Sequence, residues 1–334
     1  MLIHAKSPED LYQFGDKQSL TKQFRQLSSI HHPDKGGEVA NFQIVKKLYD
    51  EAVTKVTGGY PWDNSKHVTW QGSIAKMRLN YTLKCRNELG MEYICDTRVL
   101  YSMADGDADL IGNATRMLKM AHGNLGPNEK LKHVNSLIVP GIADYAASEK
   151  HPNILIGKKS NEVPLRAVLD TYGAIPEVHI VWMIGRMMHL LCYLEWAGIV
   201  HGNISTSALY VNLANHSLHL YGGWWYSALK DEKFKALPAR TMKYIAAPYK
   251  AEIRLDWALA RQTIVELLGH QSPTELRMHK GLRPELISFL VNPWSAKSAL
   301  ALYEQWDKVR ESYGPRKFVE FKAILPLKFN DVRV

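Results

Sequence analysis

The chain has 334 residues, of which 46% are hydrophobic and 22% charged, and its formal net charge is +9. This composition is ordinary for a globular protein, and the length suggests about two or three domains with a sizeable core. Its cysteines, Cys85, Cys95 and Cys192, are scattered and odd in number, which argues against a disulfide framework or a cysteine-based zinc site. This usage fits a reducing compartment such as the cytoplasm.

The longest apolar stretch, residues 180–200, contains Arg186, His189 and Glu195, so we expect a buried helix there and no membrane span. Residues 1–57 hold eight Lys or Arg and seven Asp or Glu, a net charge of +1, so most of the positive charge lies downstream. A basic domain can bind nucleic acid or an acidic protein surface. No run of Lys or Arg exceeds two residues, which favours a mildly basic protein over a nucleic-acid binder.

The first strong pattern predicts two helices. Leu20, Phe24, Leu27 and His31 recur at three- and four-residue spacing and therefore share one helical face. Pro33 lacks a backbone donor and disfavours helical geometry in the residue before it, so the first helix must end there. After a Gly-Gly turn, a second set of apolar residues follows at helical spacing: Phe42, Val45, Leu48, Tyr49 and Ala52. Two short amphipathic helices around a charged loop predict a helical hairpin.

The loop of this hairpin reads His32-Pro33-Asp34, and with both flanking helices it resembles a J domain over roughly residues 4–57. J domains are the modules by which co-chaperones stimulate the ATPase of DnaK-type chaperones. The segment of residues 7–14 is short for the family's first helix, so the resemblance implies either a trimmed J domain or a hairpin that leans on the rest of the chain. The compact loop is also similar to those of viral J proteins, which would fit a viral or bacteriophage source.

The resemblance implies that this hairpin docks electrostatically on an acidic patch of a DnaK-type ATPase, with Asp34 offered to a cationic group. The residues assigned to chaperone binding are His32, Pro33, Asp34, Lys22, Arg25 and Lys35. Neither His31 nor His32 has the further ligand side chains nearby that a metal site requires, so no metal is expected here.

Beyond the hairpin, residues 58–69 are predicted to be a linker. Short strands are then expected at residues 98–101 and 116–120, with a loop at residues 102–109 between them. From residue 175 onwards helices dominate, at residues 178–197, 256–268, 282–290 and 296–311. A strand-rich part followed by a helix-rich part predicts an α+β fold in two lobes.

The second motif is His201-Gly202-Asn203, followed by the strand-like residues 209–211. It resembles the catalytic loop of protein kinases, His-Arg-Asp-Leu with a later Asn, which also precedes a short strand. Ala247-Pro248-Tyr249 is similar to the family's Ala-Pro-Glu, and Asp256 opens a helix as the family's Asp-x-Trp does. The resemblance covers roughly residues 163–310 and implies a kinase-like domain at 70–334, with a small lobe at 70–162 and a large lobe at 163–334.

Several residues depart from the kinase pattern. Asn203 replaces the catalytic Asp, and an amide cannot accept a proton as a carboxylate does. Ala208 replaces the metal-binding Asn. Tyr221-Gly222-Gly223 and the next two residues replace Asp-Phe-Gly without a carboxylate, whereas magnesium requires oxygen ligands.

The small lobe matches the family less well. Lys119 is the candidate for the phosphate-pairing lysine, with Glu129 as its partner and residues 105–109 at the glycine-rich loop. Three aspartates in that loop would repel a triphosphate. His201 and Asp256 are expected to have structural roles, with Asp256 accepting hydrogen bonds from the loop backbone.

These patterns together predict a J-domain co-chaperone, itself not an enzyme, whose catalytically silent kinase-like domain selects an unknown client. No metal or cofactor is expected, and ATP binding at Lys119 is disfavoured. Two alternatives stay open: an atypical ATP-dependent enzyme using Lys119, and a basic scaffold that binds nucleic acid. Trp224-Trp225-Tyr226 is expected in the core, and the segment of residues 313–321 is expected to dock on the domain.

Overall fold

A computed structural model describes the protein, covering residues 7–8, 11–12, 16–59, 66–72, 76–81, 83–123, 141–315, 318–319 and 321. The chain divides into two compact units, Met1–Val68 with Arg78–Thr82 and Thr69–Met77 with Leu83–Val334. Within the described residues, no helix is both long and apolar enough to cross a membrane.

The smaller unit contains the predicted helical hairpin. Helix α1 spans Lys17–His31 and helix α2 spans Val39–Thr57, with a single 3-10 turn at Pro33–Lys35 between them. Asp16 caps α1, because its side chain accepts a hydrogen bond from the Ser19 amide at 2.8 Å. The side chains at the centre of the hairpin are Tyr12, Leu20, Leu48 and Ala52, all buried. Leu20 lies on α1, and Leu48 and Ala52 lie on α2, so contacts between these apolar side chains hold the two helices together.

Two strands follow, β1 at Lys66–Gln71 and β2 at Lys76–Tyr81, and they pair as a two-stranded sheet. Strand β1 begins inside the segment predicted to be a linker, so the linker prediction is wrong from residue 66 onwards. The alternation of apolar and polar side chains in a strand is a weak signal over so few residues.

The larger unit begins with a five-stranded antiparallel sheet. Its strands are β3 (Leu83–Arg86), β4 (Gly90–Ile94), β5 (Arg98–Met103), β6 (Ile142–Ala146) and β7 (Asn153–Gly157). They lie in the order β3-β4-β5-β7-β6, with β5 at the centre. Helix α3, Ala108–Gly123, follows β5 directly.

The strand predicted at residues 116–120 is wrong, because this segment lies inside α3. Ile111, Ala114, Leu118 and Ala121 are fully buried at three- and four-residue spacing, which is the pattern of a helix. A window of five residues was too short to show it, since a helical period needs at least two turns to appear.

The rest of the larger unit is mainly helical. Its helices are α4 (Leu165–Tyr172), α5 (Glu177–Trp196), α6 (Ala239–Met242), α7 (Ile253–Leu267), α8 (Pro284–Val291) and α9 (Ala299–Glu311). The four long helices predicted here are present, with ends shifted by a few residues. Strand β8 (Val163–Pro164) pairs with β10 (Leu209–Asn212), which also pairs with β11 (Ser217–Leu220). Strands β9 (Ile199–Val200) and β12 (Ala228–Leu229) form a second small pair.

The core of this unit forms around α5, whose apolar residues are buried on more than one face. The prediction of a buried helix in the longest apolar stretch is therefore confirmed. The Trp224–Tyr226 segment is a buried 3-10 turn, as expected of a core cluster. Near the C-terminus, Phe321 is 3% exposed and its ring lies 4.4 Å from that of His179, so this residue docks on the domain as predicted.

Candidate functional site

The first candidate site is the loop between α1 and α2, and His32 determines its shape. This residue leaves the helix with an extended backbone, φ −67° and ψ 133°. Its Nδ1 accepts a hydrogen bond from the Asp34 amide at 3.2 Å, and its carbonyl oxygen accepts from the amides of Lys35 and Gly37 at 2.9 and 3.0 Å. One residue therefore holds three of the following amides, and the loop has a defined conformation.

Two glycines close the loop for different reasons. Gly36 has φ +84°, in the left-handed region that glycine adopts without a steric penalty. Gly37 lies against α1, where an added Cβ would come within 2.3 Å of the carbonyl carbon and oxygen of His31. The first glycine is needed for its backbone angle and the second for space.

The loop presents a charged residue with apolar neighbours. The Asp34 side chain is 88% exposed, and the His32 ring packs edge-on against Phe42 at 5.0 Å between centroids. Two large apolar side chains next to the loop, Ile30 and Val39, are 66% and 57% exposed. An exposed carboxylate beside solvent-facing apolar groups is the composition expected of a protein-binding surface.

Basic side chains continue this surface along α1. Lys22 and Arg25 are exposed and lie about one turn apart. Lys35 reaches back from the loop, and its Nζ donates to Ser29 Oγ at 3.0 Å. We call Lys22, Arg25 and Lys35 the basic stripe. The structure thus brings the six residues predicted for chaperone binding onto one end of the hairpin and the helix that leads to it.

The second candidate site is the loop that begins at His201. The amides of His201 and Gly202 donate to the two carboxylate oxygens of Asp256 at 2.7 and 2.9 Å. The structure therefore shows the backbone hydrogen bonds that the resemblance to kinases implied for Asp256. Burial raises the pKa of Asp256 to about 7, although these two hydrogen bonds counteract the shift. Burial lowers the pKa of His201 to about 3, so its imidazole is neutral at pH 7.

Residues 221–223 pack tightly against this loop. The amides of Tyr221 and Gly222 both donate to the Ala208 carbonyl at 3.1 Å. Gly223 has φ +86°, and an added Cβ would lie 2.7 Å from His201 Cε1 and 2.9 Å from Asn203 Nδ2. The segment predicted to stand in place of Asp-Phe-Gly therefore packs closely against the loop through its glycines.

A cavity of about 570 Å³ opens where β3 and β4 meet the loop. Asn203, Ser205 and Ser207 of the loop line one part of it, and the carboxylates that line it are Glu88, Glu92 and Asp170. Ala208 has no side-chain ligand to offer and is buried. Within the part of the chain that the structure describes, no group of three or more His, Cys, Asp or Glu side chains could hold a metal ion.

The prediction that Lys119 is the phosphate-pairing lysine of this cleft is wrong. Lys119 lies on helix α3, with its Nζ 6.0 Å from the centre of the Tyr145 ring on β6. The segment of residues 105–109 joins β5 to α3 and begins that helix, so it is no glycine-rich loop between two strands. Glu129, the predicted partner of Lys119, lies outside the described residues.

Kinases carry the phosphate-pairing lysine on the third strand and its glutamate on the helix that follows. In this sheet the third strand is β5 and the helix is α3. Tyr101 of β5 points at the cleft, since its ring lies 4.8 Å from Trp225 and its hydroxyl 3.5 Å from that of Tyr210. From α3, the buried Asn113 donates to the carbonyls of Trp225 and Ser227, both at 2.9 Å. An amide thus connects α3 to the cleft.

Glu92 of β4 is a further residue that the sequence analysis missed. Its buried carboxyl accepts a hydrogen bond from the Tyr210 hydroxyl, and burial raises its pKa to about 7. Glu92 lines the cleft, and its carboxyl is linked through the Tyr210 hydroxyl to the Tyr101 hydroxyl. The sequence signal for this hairpin is Asn87, directly after β3, and Gly90, with which β4 begins.

Comparisons with known proteins identify the fold of the chain. A solved structure of vaccinia related kinase 3 is similar to it, with a TM-score of 0.51 and 12% sequence identity. The similarity covers 81% of this chain and 94% of that one. The fold is therefore that of a protein kinase. Neither a protein-family model nor a curated protein matches the sequence.

Proposed function

We propose that the protein is a J-domain co-chaperone of the cytoplasm. In this proposal residues 1–57 recruit a DnaK-type chaperone and stimulate its ATPase, and residues 70–334 hold a client or partner. The observation that carries the proposal is the loop after α1, in which His32 fixes the backbone and leaves the Asp34 side chain 88% exposed. A motif that is both rigid and exposed suits binding, because little conformational entropy is lost when a partner docks.

The chemistry of the loop supports a charged docking surface. Asp34 offers a carboxylate to a cation of the ATPase, and the basic stripe offers positive charge to an acidic patch. Ile30 and Val39 add exposed apolar area on either side of the loop. The co-chaperone supplies no reacting group in this mechanism, and it acts by favouring the state of its partner that hydrolyses ATP.

We further propose that the kinase-like domain transfers no phosphate. Asn203 and Ala208 cannot act as base and metal ligand, and Tyr101 lies on the strand that carries the lysine in kinases. Glu92, one of the three carboxylates that line the cleft, is buried and hydrogen-bonded to Tyr210, which disfavours it as a magnesium ligand. The atypical enzyme is therefore the weaker alternative, and its predicted ligand Lys119 lies on a helix instead.

The decisive measurement is single-turnover ATP hydrolysis by a DnaK-type chaperone in the presence of this protein. We expect stimulation by the natural sequence, loss of stimulation in His32→Gln, and full stimulation in Lys46→Ala, which removes an exposed lysine from α2. Absence of stimulation by folded protein would contradict the proposal. A thermal shift with magnesium–ATP tests the enzyme alternative, and we expect none.

A second candidate function, a basic scaffold that binds nucleic acid, has one observation in its favour. Residues 230–254 contain seven Lys or Arg and three Asp or Glu, a net charge of +4 within a chain of net +9. Phosphate contacts would make such binding strongly dependent on salt. Binding of single- or double-stranded nucleic acid that weakens with salt, and is lost when Lys233, Lys235 and Lys243 are changed to Ala, would establish this alternative.

A further inference from the structure

A second cavity, of about 660 Å³, lies between helices α5 and α9 in the larger unit. It shares no lining residue with the cleft described above. Its walls are aromatic and aliphatic: Val181 and Trp182 from α5, and Tyr303 and Trp306 from α9. Cavities that bind ligands commonly have this size and are lined largely by apolar and aromatic side chains.

The floor of this cavity contains a hydrogen-bond donor without an acceptor. Trp306 is fully buried, and its indole Nε1 has no hydrogen-bond partner in the described part of the chain. Buried tryptophan N–H groups usually have one. Gly185 of α5 leaves the space above it open, since an added Cβ would meet only Trp306 Nε1, at 3.8 Å. The cavity therefore offers a donor to whatever enters it.

The charges around the cavity favour a negative partner. Three arginines line it, Arg186, Arg283 and Arg310, against two carboxylates, Glu177 and Asp307. Both carboxylates already accept hydrogen bonds within the protein. Asp307 accepts from Arg310 Nε at 2.8 Å, and Glu177 accepts from the Arg283 amide at 3.0 Å and from the Tyr313 hydroxyl at 2.5 Å. Arg186 and Arg283 donate to the neutral carbonyls of His216 and Ser312. Three arginines against two carboxylates therefore leave the lining with a net charge of +1, which favours an acidic ligand.

The mouth of the cavity has exposed apolar side chains, Val178 at 38% and Phe318 at 62%. We propose that this cavity binds an acidic peptide segment of a partner protein through one bulky aromatic side chain. The ring would enter between Trp182 and Tyr303, a backbone carbonyl would accept from Trp306, and neighbouring carboxylates would face the arginines. An aromatic anchor in a desolvated pocket is the usual energetic centre of such an interface. Its role in client selection rests on the proposed co-chaperone function.

The test begins with a displayed library of random peptides selected on the full-length protein. We expect enrichment of peptides in which Trp, Tyr or Phe lies beside Asp or Glu. A labelled peptide from that set is then titrated against Gly185→Leu, which fills the cavity, and against Gly112→Leu, the same change at an exposed position of α3 with open space around it. Gly185→Leu should weaken binding by about tenfold or more, and Gly112→Leu should not change it.

Two substitutions at one position test the charge. Val178→Glu should weaken binding of the labelled peptide, and Val178→Lys should strengthen it. A change in folding alone would not produce opposite effects on the affinity. Enrichment of basic or purely apolar peptides, preferential binding of nucleic acid at this cavity, or equal affinity for Gly185→Leu and the natural sequence would overturn the inference. Stimulation of the chaperone ATPase should persist in Gly185→Leu, so failure of the co-chaperone function and failure of peptide binding are read separately.

Discussion

At the scale of single residues, the shape of the His-Pro-Asp loop depends on two glycines that follow it. Gly36 needs its positive φ, whereas Gly37 needs the space that a Cβ would occupy. The sequence predicted a flexible turn from two adjacent glycines, and the structure assigns each of them a different task. This distinction could not be predicted, because it depends on how closely the loop returns to the end of α1.

We predict that Gly37→Ala abolishes chaperone stimulation, because its Cβ would lie 2.3 Å from the His31 carbonyl and must displace the loop. Gly36→Asn should retain most of the stimulation, since asparagine tolerates the left-handed region. ATPase assays of both variants, with circular dichroism to verify the helices, check this pair. Full stimulation by both variants would show that the backbone conformation of the loop is unimportant for stimulation.

A buried carboxyl gives the stability a defined pH dependence. Burial raises the pKa of Glu92 from 4.5 to about 7, so the folded state holds its proton where the unfolded state has lost it. Its contribution is complete below about pH 4.5 and is lost as the pH rises through about 7, a change of about 3 kcal/mol. Glu92→Gln removes this change while keeping an acceptor for Tyr210.

We therefore predict that the free energy of unfolding of Glu92→Gln rises relative to the natural sequence by up to about 3 kcal/mol between about pH 5 and pH 8. Urea unfolding of both proteins across this range measures the difference between their free energies of unfolding. The contributions of the other titrating groups cancel in this difference. Glu88→Gln, which makes the same substitution at an exposed position next to β3, is the control for the change of residue type. A parallel profile for Glu92→Gln would contradict the assignment.

At the scale of elements, the long helices and the hairpin are predictable from the sequence, and the small lobe is not. Helices α5, α7 and α9 carry apolar residues over several turns, so their period is visible in the sequence. Residues 116–120 taken alone predict a strand, because the helical period of α3 becomes visible only over a longer segment. That error moved the expected lysine to Lys119 and hid Tyr101, which is recognised only when the order of strands in the sheet is known.

Helix α3 is held against the Trp224–Tyr226 turn by Asn113, and this connection is testable. Asn113→Ala leaves the carbonyls of Trp225 and Ser227 without their donor, so we expect it to lower the free energy of unfolding by about 3 kcal/mol. Gly112→Ala, at the exposed neighbouring position, should instead raise it by up to about 1 kcal/mol. Denaturant unfolding of both variants measures the two effects, and a neutral Asn113→Ala would show that the turn is held by packing alone.

At the scale of the whole molecule, positive charge is unevenly distributed along the chain. Residues 1–57 carry a net charge of +1, whereas residues 230–254 carry +4. In the proposed co-chaperone function, attraction to an acidic chaperone would depend on where the cations of the hairpin lie, and the basic stripe runs from α1 to the loop. Total charge alone, which is what the composition gives, does not predict this local arrangement.

We predict that the double variant Lys22→Ala and Arg25→Ala slows association with a DnaK-type chaperone by about threefold to tenfold at low salt. The salt dependence of the association rate should fall with it. Lys46→Ala with Lys47→Ala removes the same charge from α2 and is the matched control, expected to have little effect. Stopped-flow measurements at several ionic strengths distinguish the two. Similar losses in both double variants would mean that net charge, and not the stripe, drives the encounter.

The packing of Gly223 against His201 and Asn203 determines which positions of this chain tolerate amino-acid substitution. Any side chain at residue 223 would collide with the loop, and Asp256 is the acceptor for two of its amides. Under the proposal that the domain transfers no phosphate, Asn203, by contrast, is not required to be a carboxylate. A saturation scan scored by cellular abundance should therefore find residues 223 and 256 nearly intolerant and residue 203 permissive. An enzyme scored by turnover would be expected to be intolerant at residue 203 as well as at residues 223 and 256.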